Sequence, residues 1–427
     1  WITGLAVSVV DGTTTPGASV AAAPAAPPIG SAPPGAAAEA RPTAPFAHSA
    51  AVFRPGRACV HCRYRRTGPD PEPGCWERHL GQGLRRPDLH VPDLPGHGND
   101  ALLQQGAYFM ESLSHADVPE AEDEPQSFSL QWRRSVLVES AKLGSPRAET
   151  LHPTLCENLS ILVYPLHFID FEACTFPVPL NRGGRMHDTL VFQYSCHTVQ
   201  RPGPLGEAGI RHHHWIDSGF SPDPERRFAD SLASIPEIES GTVVHFAPFE
   251  PQHLTTVARR LAAGGSAGSG ASDGNDSGIG ENRLLAAALA GPAAKGRFLD
   301  VAAWLREGYH HPELQGGLGL KDLARALATV PHVRQEWKAL SAAQTGLGQQ
   351  DIQDLILGGE SEGFTEGEEA MHAYLLMRAG EVPEDRIPRW TEDLVRYCAL
   401  DTMAMVLAVR HWQWLCERMP GKENDLP

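Results

Sequence analysis

No run of apolar residues in this 427-residue chain is long enough to cross a bilayer. An apolar stretch near the start, Leu5-Ala6-Val7-Ser8-Val9-Val10, is too short for a span and lacks the basic flank of a signal peptide. A soluble, cytoplasmic protein without a membrane partner is therefore the expectation. Large apolar side chains are almost missing from residues 11–47, which are built of Ala, Pro, Gly, Ser and Thr. Such a stretch cannot bury enough surface to offset its conformational entropy, so residues 1–50 are expected to be disordered and of low complexity. The chain opens on Trp1 rather than Met, as a fragment or a mis-started product does. Basic charge is scarce too. A net charge of −16 runs against the footprint of a protein that grips nucleic acid tightly. Residues 51–90 are a local exception, with eight Arg and no Lys against four acids, so charge neither supports nor excludes a nucleic-acid substrate. The eight cysteines lack the pattern of a secreted disulfide framework. Cys156, Cys174, Cys196, Cys398 and Cys416 fall singly in apolar or motif contexts and are expected to be ordinary small core or near-core residues.

What is present divides the chain into segments. Residues 51–90 are rich in Cys, Arg and Pro, and 91–150 read as a helical linker, with helices expected at Asp100–Ser112 and Trp132–Lys142. Acidic residues in Pro119–Glu124 separate the two helices. From 155 to 417 the pattern turns α/β. Strands are expected at 161–169, Leu190–His197, Arg211–Ile216 and Gly241–Phe246, and helices at Pro224–Ser234 and from Phe249 to Ala263. Residues 264–280, rich in Gly, Ser, Asp and Asn, read as a flexible insertion. Helical or mixed segments follow at 282–290, 298–307, 320–328, 366–379 and 391–417. Several strands that then alternate with helices fit a mixed sheet flanked by helices.

Two carboxylate motifs carry the chemistry. In Phe168-Ile169-Asp170-Phe171-Glu172, side chains alternate faces of a strand, so Asp170 and Glu172 point the same way. In Tyr397-Cys398-Ala399-Leu400-Asp401, a helix puts Tyr397 and Asp401 on one face. Glu250 sits where the strand Val243–Phe246 runs into a helix start. Carboxylates packed together repel one another unless cations lie among them, and hard oxygen ligands suit Mg²⁺ or Mn²⁺. Two such ions about 4 Å apart stabilise both the attacking and leaving oxygens of a phosphodiester. Asp170 is the natural bridge between two ions, with Glu172 and Asp401 completing the shell of the first. Tyr397, with a reference pKa near 10, suits positioning water better than base catalysis. Asp300 is a fallback carboxylate, better placed to cap the helix that follows it.

These residues, in this order, resemble the DEDD 3′–5′ exonucleases of the RNase H-like superfamily. Residues 155–416 resemble more closely an exonuclease-like domain found after CRISPR-associated RecB-type nuclease domains. The matching residues include Tyr164-Pro165-Leu166, Asp170 and Glu172, Phe192–His197, Phe249-Glu250, His311-Pro312-Glu313-Leu314 and Tyr397–Thr402. The resemblance implies an RNase H-like fold and a two-metal site of Asp170, Glu172, Glu250 and Asp401, with Tyr397 beside it. It also implies a nucleic-acid substrate with a single-stranded 3′ end, and association with a RecB-type nuclease domain. Phe246 stands where these enzymes often have Asn, and Glu250 replaces Asp. Those departures keep an alternative open: a weakened or inactive nucleic-acid-binding scaffold of the same fold.

Cys59, Cys62 and Cys75 have the first half of a metal-site spacing, with His61 and His79 as candidate fourth ligands for Zn²⁺. The RecB-type resemblance implies instead the remnant of a 4Fe-4S site, and a segment without metal is the third reading. Arg63, Arg65 and Arg66 are candidates for phosphate contact or simply exposed charge. His212-His213-His214 reads as a half-exposed strand, and His310-His311 before Pro312 as turn chemistry.

Overall fold

The structure is a computed structural model, and it describes residues 90–96, 98–121, 125–178, 185–264, 297–348 and 367–419. It also describes positions 55–56, 58–59, 62, 65, 74–80, 286 and 364. The low-complexity expectation for 1–50, nearly all of the insertion at 264–280 and the helix at 282–290 apart from residue 286 lie outside the described residues. No described helix is long and apolar enough to cross a membrane.

Two short helices, α1 (Cys75–Leu80) and α2 (Asn99–Gln104), precede α3 (Leu130–Leu143). A two-residue strand β1 (Thr150–Leu151) leads into α4 (Pro153–Ser160). The main sheet begins with β2 (Leu166–Thr175), β3 (Thr189–Val199) and β4 (Ile210–Ile216), joined as antiparallel neighbours. After α5 (Pro224–Ala233) comes β5 (Thr242–His245), then α6 (Phe249–Gly264) and β6 (Phe298–Asp300). The sheet order is β4-β3-β2-β5-β6, with β5 parallel to both β2 and β6. The chain continues through α7 (Val301–Gly308), β7 (Tyr309–His310, paired with β1), α8 (Leu320–Ala328), α9 (Pro331–Lys338) and α10 (Ala342–Thr345). It ends in α11 (Gly367–Arg378) and the long α12 (Ile387–Cys416). This is an α/β fold with a mixed sheet between helices, as the patterning predicts.

Both faces of the sheet are covered. Leu166 and Phe168 of β2 pack with Val244, Leu323 and the α12 residues Met403 and Val406. Ile169 and Phe171 point to the other face, against Phe228 of α5 and Leu254 and Val257 of α6. Burial on both sides is why β2 reads as one apolar run rather than a clean alternation. Fixing α12 over one face and α6 at the end of β5 is what the site requires.

Two boundaries differ from the sequence expectation, and one mixed segment is resolved into its parts. The strand begins at Leu166, not Ile161, because α4 runs to Ser160 and leaves Ile161 and Val163 exposed. Pro165 has no N–H for a ladder, and Val163 bonds instead to the Thr242 hydroxyl through both its N–H and its C=O. The helical or mixed segment at 298–307 opens with the strand Phe298–Asp300, and the Asp300 carboxylate, accepting from Ala302 N at 2.8 Å, starts α7 after it. The helix expected over Asp100–Ser112 ends at Gln104, ahead of Gly106 with φ of 84°. The 91–150 segment is not a loose linker. The buried Arg133 guanidinium of α3 donates to the carbonyls of Leu305 and Arg306 in the last turn of α7 and of Tyr309 just beyond it.

Cys156 and Cys416 correct a second expectation. They form a disulfide between α4 and the last residue of α12, across 260 residues of sequence. Cross-linking so long a loop removes freedom from the unfolded chain. Cys416→Ser is expected to lower unfolding stability by about 2–4 kcal/mol under oxidising conditions, read by urea denaturation, and to change nothing in reductant.

Candidate active site

Asp170 and Glu172 leave β2 on the face covered by α12, while Phe171 between them packs edge-on against Phe228, ring centroids 5.1 Å apart. α12 brings Tyr397, Cys398 and Asp401 onto that face from 30 residues of continuous helix. Its register over the sheet is set next to Asp401. The Thr402 hydroxyl meets His197 Nδ1 at 2.8 Å and Ser195 Oγ at 2.9 Å, and Ser195 is the β3 partner of Asp170. Cys398 Sγ donates to Asp170 Oδ2 at 3.1 Å. Ligand atoms of Asp170, Glu172 and Cys398 all lie within 4.8 Å of one another.

Glu250 arrives from the first turn of α6 and is 2 % exposed. Its Oε2 has no hydrogen-bond partner among the described residues. The nearest base, His245 Nδ1, is 3.9 Å away and directs its proton to the Ala247 carbonyl at 2.5 Å. Burial lowers the pKa of His245, so the ring is neutral at pH 7 and does not balance the Glu250 charge. Asp300 is not a member of the cluster, but it shapes the approach. Its Oδ1 accepts from Ala247 N at 2.8 Å and holds the positive-φ turn that delivers Glu250.

The electrostatics record how closely these groups meet. Burial first, and then the Asp401 charge, push the Asp170 pKa well above the carboxylate range, against the Cys398 hydrogen bond. Glu172 is raised by burial and by Asp170 and Asp401, with Lys321 opposing. Glu250 is raised by burial and then by Asp170. Tyr397 is raised by burial and by the charges of Asp401, Glu172 and Asp170, so it keeps its proton at physiological pH. Asp170 and Glu172 fall in one tight group with Cys398, whereas Glu250, Tyr397 and Asp401 are coupled to it electrostatically but lie outside that group.

Several neighbours of the site lie outside the residues singled out as its ligands. Lys321, the second residue of α8, places its ammonium 5.6 Å from the centre of the Tyr397 ring. Gly367 opens α11 beside the site, where a Cβ would lie 3.8 Å from Tyr397 Oη and 3.9 Å from Glu172 Oε2. Cys398 is not the ordinary core residue its apolar context suggests, and its place three positions before Asp401 on one helix face is a usable signal.

The cysteine segment is less complete. Cys59, Cys62 and Cys75 are half-buried, and the Cys75 thiol is raised by burial and then by its Cys59 and Cys62 neighbours. Among the described residues, the three thiols do not close into a tight ligand group, whereas Asp170, Glu172 and Cys398 do. His79 is exposed, and His61, Arg63 and Arg66 lie outside the described residues. Arg65 is buried, bonded to Asp93 and His90 with its guanidinium over Trp76, and is committed to packing rather than to a phosphate. His212 stacks between His197 and His214 on the half-exposed β4, as expected for a strand. His310 ends β7, while His311 Nδ1 accepts from Glu313 N and caps the turn.

The family described as a domain of unknown function (DUF2779) matches residues 167–318. That span holds Asp170, Glu172 and Glu250 and stops before Tyr397 and Asp401. No curated protein and no solved structure matches the chain.

Proposed function

We propose that this chain is a metal-dependent nuclease of RNase H-like architecture that hydrolyses phosphodiester bonds of DNA or RNA from a single-stranded 3′ end. One observation carries the reading. Three mutually repelling carboxylates, Asp170, Glu172 and Glu250, are sunk together, and Glu250 Oε2 has no partner among the described residues. Such an arrangement calls for cations. The donor set fits hard divalent ions, and Asp170, Glu172, Glu250 and Asp401 would hold two Mg²⁺ or Mn²⁺. Bound there, the ions supply charge stabilisation at the attacking and leaving oxygens of the phosphodiester. The sheet order, three antiparallel strands followed by two parallel ones, supports the exonuclease-like reading, as does the order of the motifs along the chain.

The chain's own residues have distinct tasks in this scheme. Tyr397, kept protonated, orients the attacking water by a hydrogen bond. Lys321 holds a positive charge at the rim, where a phosphate approaches. Gly367 leaves open the space between Tyr397 and Glu172. Water oxygen bonds to phosphorus, and the bond from phosphorus to the 3′ oxygen of the preceding nucleotide breaks. A 5′-mononucleotide departs, and the shortened strand keeps a 3′ hydroxyl.

For Cys59, Cys62 and Cys75, which do not close into a tight ligand group among the described residues, we propose the remnant of an iron–sulfur site, or a Zn²⁺ site if His61 or His79 supplies a fourth ligand. The cytoplasm is the compartment we assign. Glutathione-level reductant is then expected to leave activity intact even where it opens Cys156–Cys416.

The test is incubation of the full chain with 5′-labelled single-stranded DNA and RNA in Mn²⁺. Stepwise shortening by the parent, lost in a folded Asp170→Ala variant, supports the proposal. A pure parent that leaves both strands intact overturns it.

A further inference from the structure

We infer that Cys398 is itself a ligand of the carboxylate centre, and that the centre therefore selects thiophilic divalent ions such as Zn²⁺, Co²⁺ or Cd²⁺ over Mg²⁺. The inference rests on the reading of this cluster as a cation site, but not on phosphodiester hydrolysis.

Cys398 differs from every other buried cysteine in the company it keeps. Cys174, Cys196, Cys156 and Cys416 each belong to an apolar cluster of the core. Cys398 is 0 % exposed and belongs to none of those clusters. Its sulfur faces oxygen instead: Asp170 Oδ2 at 3.1 Å and the Asp170 carbonyl at 3.4 Å. Two ligands of one ion with metal–ligand bonds near 2.0–2.3 Å sit roughly 3–3.6 Å apart. Cys398 Sγ and Asp170 Oδ2 already have that separation, and Glu172 completes a group whose ligand atoms span no more than 4.8 Å.

A second observation points to a bound ion independently of the thiol. Glu250 Oε2 lies in a residue only 2 % exposed, with no hydrogen-bond partner among the described residues. After burial, the charge of the same Asp170 is what raises the Glu250 pKa most. A deeply buried, unpartnered oxygen beside an Asp–Glu–Cys group is what a coordination shell leaves when the ion is taken away. Thiolate is the soft member of this set, so its participation shifts preference from Mg²⁺ toward softer ions. The exchange balances without an oxidant. The Cys398 S–H bond breaks, sulfur's electron pair forms a bond to the ion, and the proton passes to solvent.

The competing role for Cys398 is a hydrogen-bond donor that only aligns Asp170. Serine preserves an O–H donor and alanine does not, so Cys398→Ser and Cys398→Ala separate the two roles. The full chain, stripped with chelator, is loaded with Co²⁺, and the spectrum of each variant is subtracted from that of the parent. Subtraction cancels the thiols of Cys59, Cys62 and Cys75. The expected difference is a sulfur-to-cobalt charge-transfer band in the near ultraviolet, missing in both variants. One extra proton should be released per ion by the parent, and Cd²⁺ affinity should fall by roughly tenfold or more in Cys398→Ser. Mg²⁺ affinity should change little. Identical spectra and unchanged Cd²⁺ affinity in Cys398→Ser overturn the inference while leaving the nuclease reading in place. A sulfur band in a parent that cleaves no oligonucleotide supports the inference and overturns the nuclease reading. Co²⁺ binding that Asp170→Ala leaves unchanged overturns both. Should neither Cys398 variant fold, Cd²⁺ X-ray absorption on the chain carrying Cys59→Ser, Cys62→Ser and Cys75→Ser reads the same bond. A sulfur neighbour supports the assignment, and a shell of oxygen and nitrogen alone overturns it.

Discussion

Asp170→Asn is expected to abolish cleavage and at the same time raise the melting temperature of the metal-free protein. The loss should reach about three orders of magnitude, because several kcal/mol of transition-state stabilisation depend on a charged ligand and each 1.4 kcal/mol is roughly a factor of ten. The gain in stability has the same origin. Burial and the Asp401 charge make the ionised form of Asp170 costly in the folded state. Asparagine keeps the shape and an acceptor for the Cys398 S–H, but carries no charge. A stabilisation of about 0.5–2 kcal/mol is expected, the usual size when a functional compromise is removed. Chelator-treated parent and variant compared by calorimetry give the answer. If Asp170 were only a solvated strand end, the variant would melt at the parent temperature and its activity would survive.

The second large effect is on pH. Asp170, Glu172 and Glu250 all have folded pKa values raised above those of the unfolded chain. Between the unfolded value near 4 and the raised value, the native state binds more protons than the unfolded state. Stability must therefore fall as pH rises through that window. Buried histidines act in the opposite sense. His167 and His197 are lowered to about 4 by burial, so they take up protons on unfolding and favour the native state as pH rises toward about 6.5. The metal-free parent is expected to lose melting temperature with rising pH above about 4 relative to Asp170→Asn, in which the histidine contribution is the same and only the Asp170 share is removed. Mn²⁺ replaces the protons. At a hundred times its dissociation constant one ion adds about 2.7 kcal/mol, so the decline should flatten and the melting temperature rise by several degrees. A metal-free difference that stays flat with pH, with no response to Mn²⁺, would count against the charged cluster.

Much of this site is legible in the sequence. The alternation in Ile169-Asp170-Phe171-Glu172 is a local property of a strand, and it places both carboxylates on one face. The Tyr397–Asp401 spacing does the same for a helix. What is not legible depends on contacts distant in sequence. Ile161-Leu162-Val163 looks like the start of the strand because apolar runs do not reveal whether Thr242 will take up the backbone groups of Val163. Nothing local distinguishes Cys156 and Cys416 from core cysteines, since their bond closes 260 residues. Gly367 carries no motif of its own, and the Leu318–Leu323 segment, although it resembles the stretch that leads into a helix between the second and third motifs, does not reveal that Lys321 will lie over the Tyr397 ring. Glu250, taken by its sequence alone, is a departure from Asp that a metal site either tolerates or is weakened by. The fold buries that longer side chain where the Asp170 charge acts on it, which no local pattern reveals.

The central claim is that the carboxylates hold divalent cations, and calorimetric titration of Mn²⁺ into the chelator-stripped full chain tests it most directly. The account predicts two ions bound by the parent, with both the heat and the stoichiometry reduced in Asp170→Asn and Glu250→Gln. A parent that binds no Mn²⁺, or binds it equally well after both substitutions, would contradict the account.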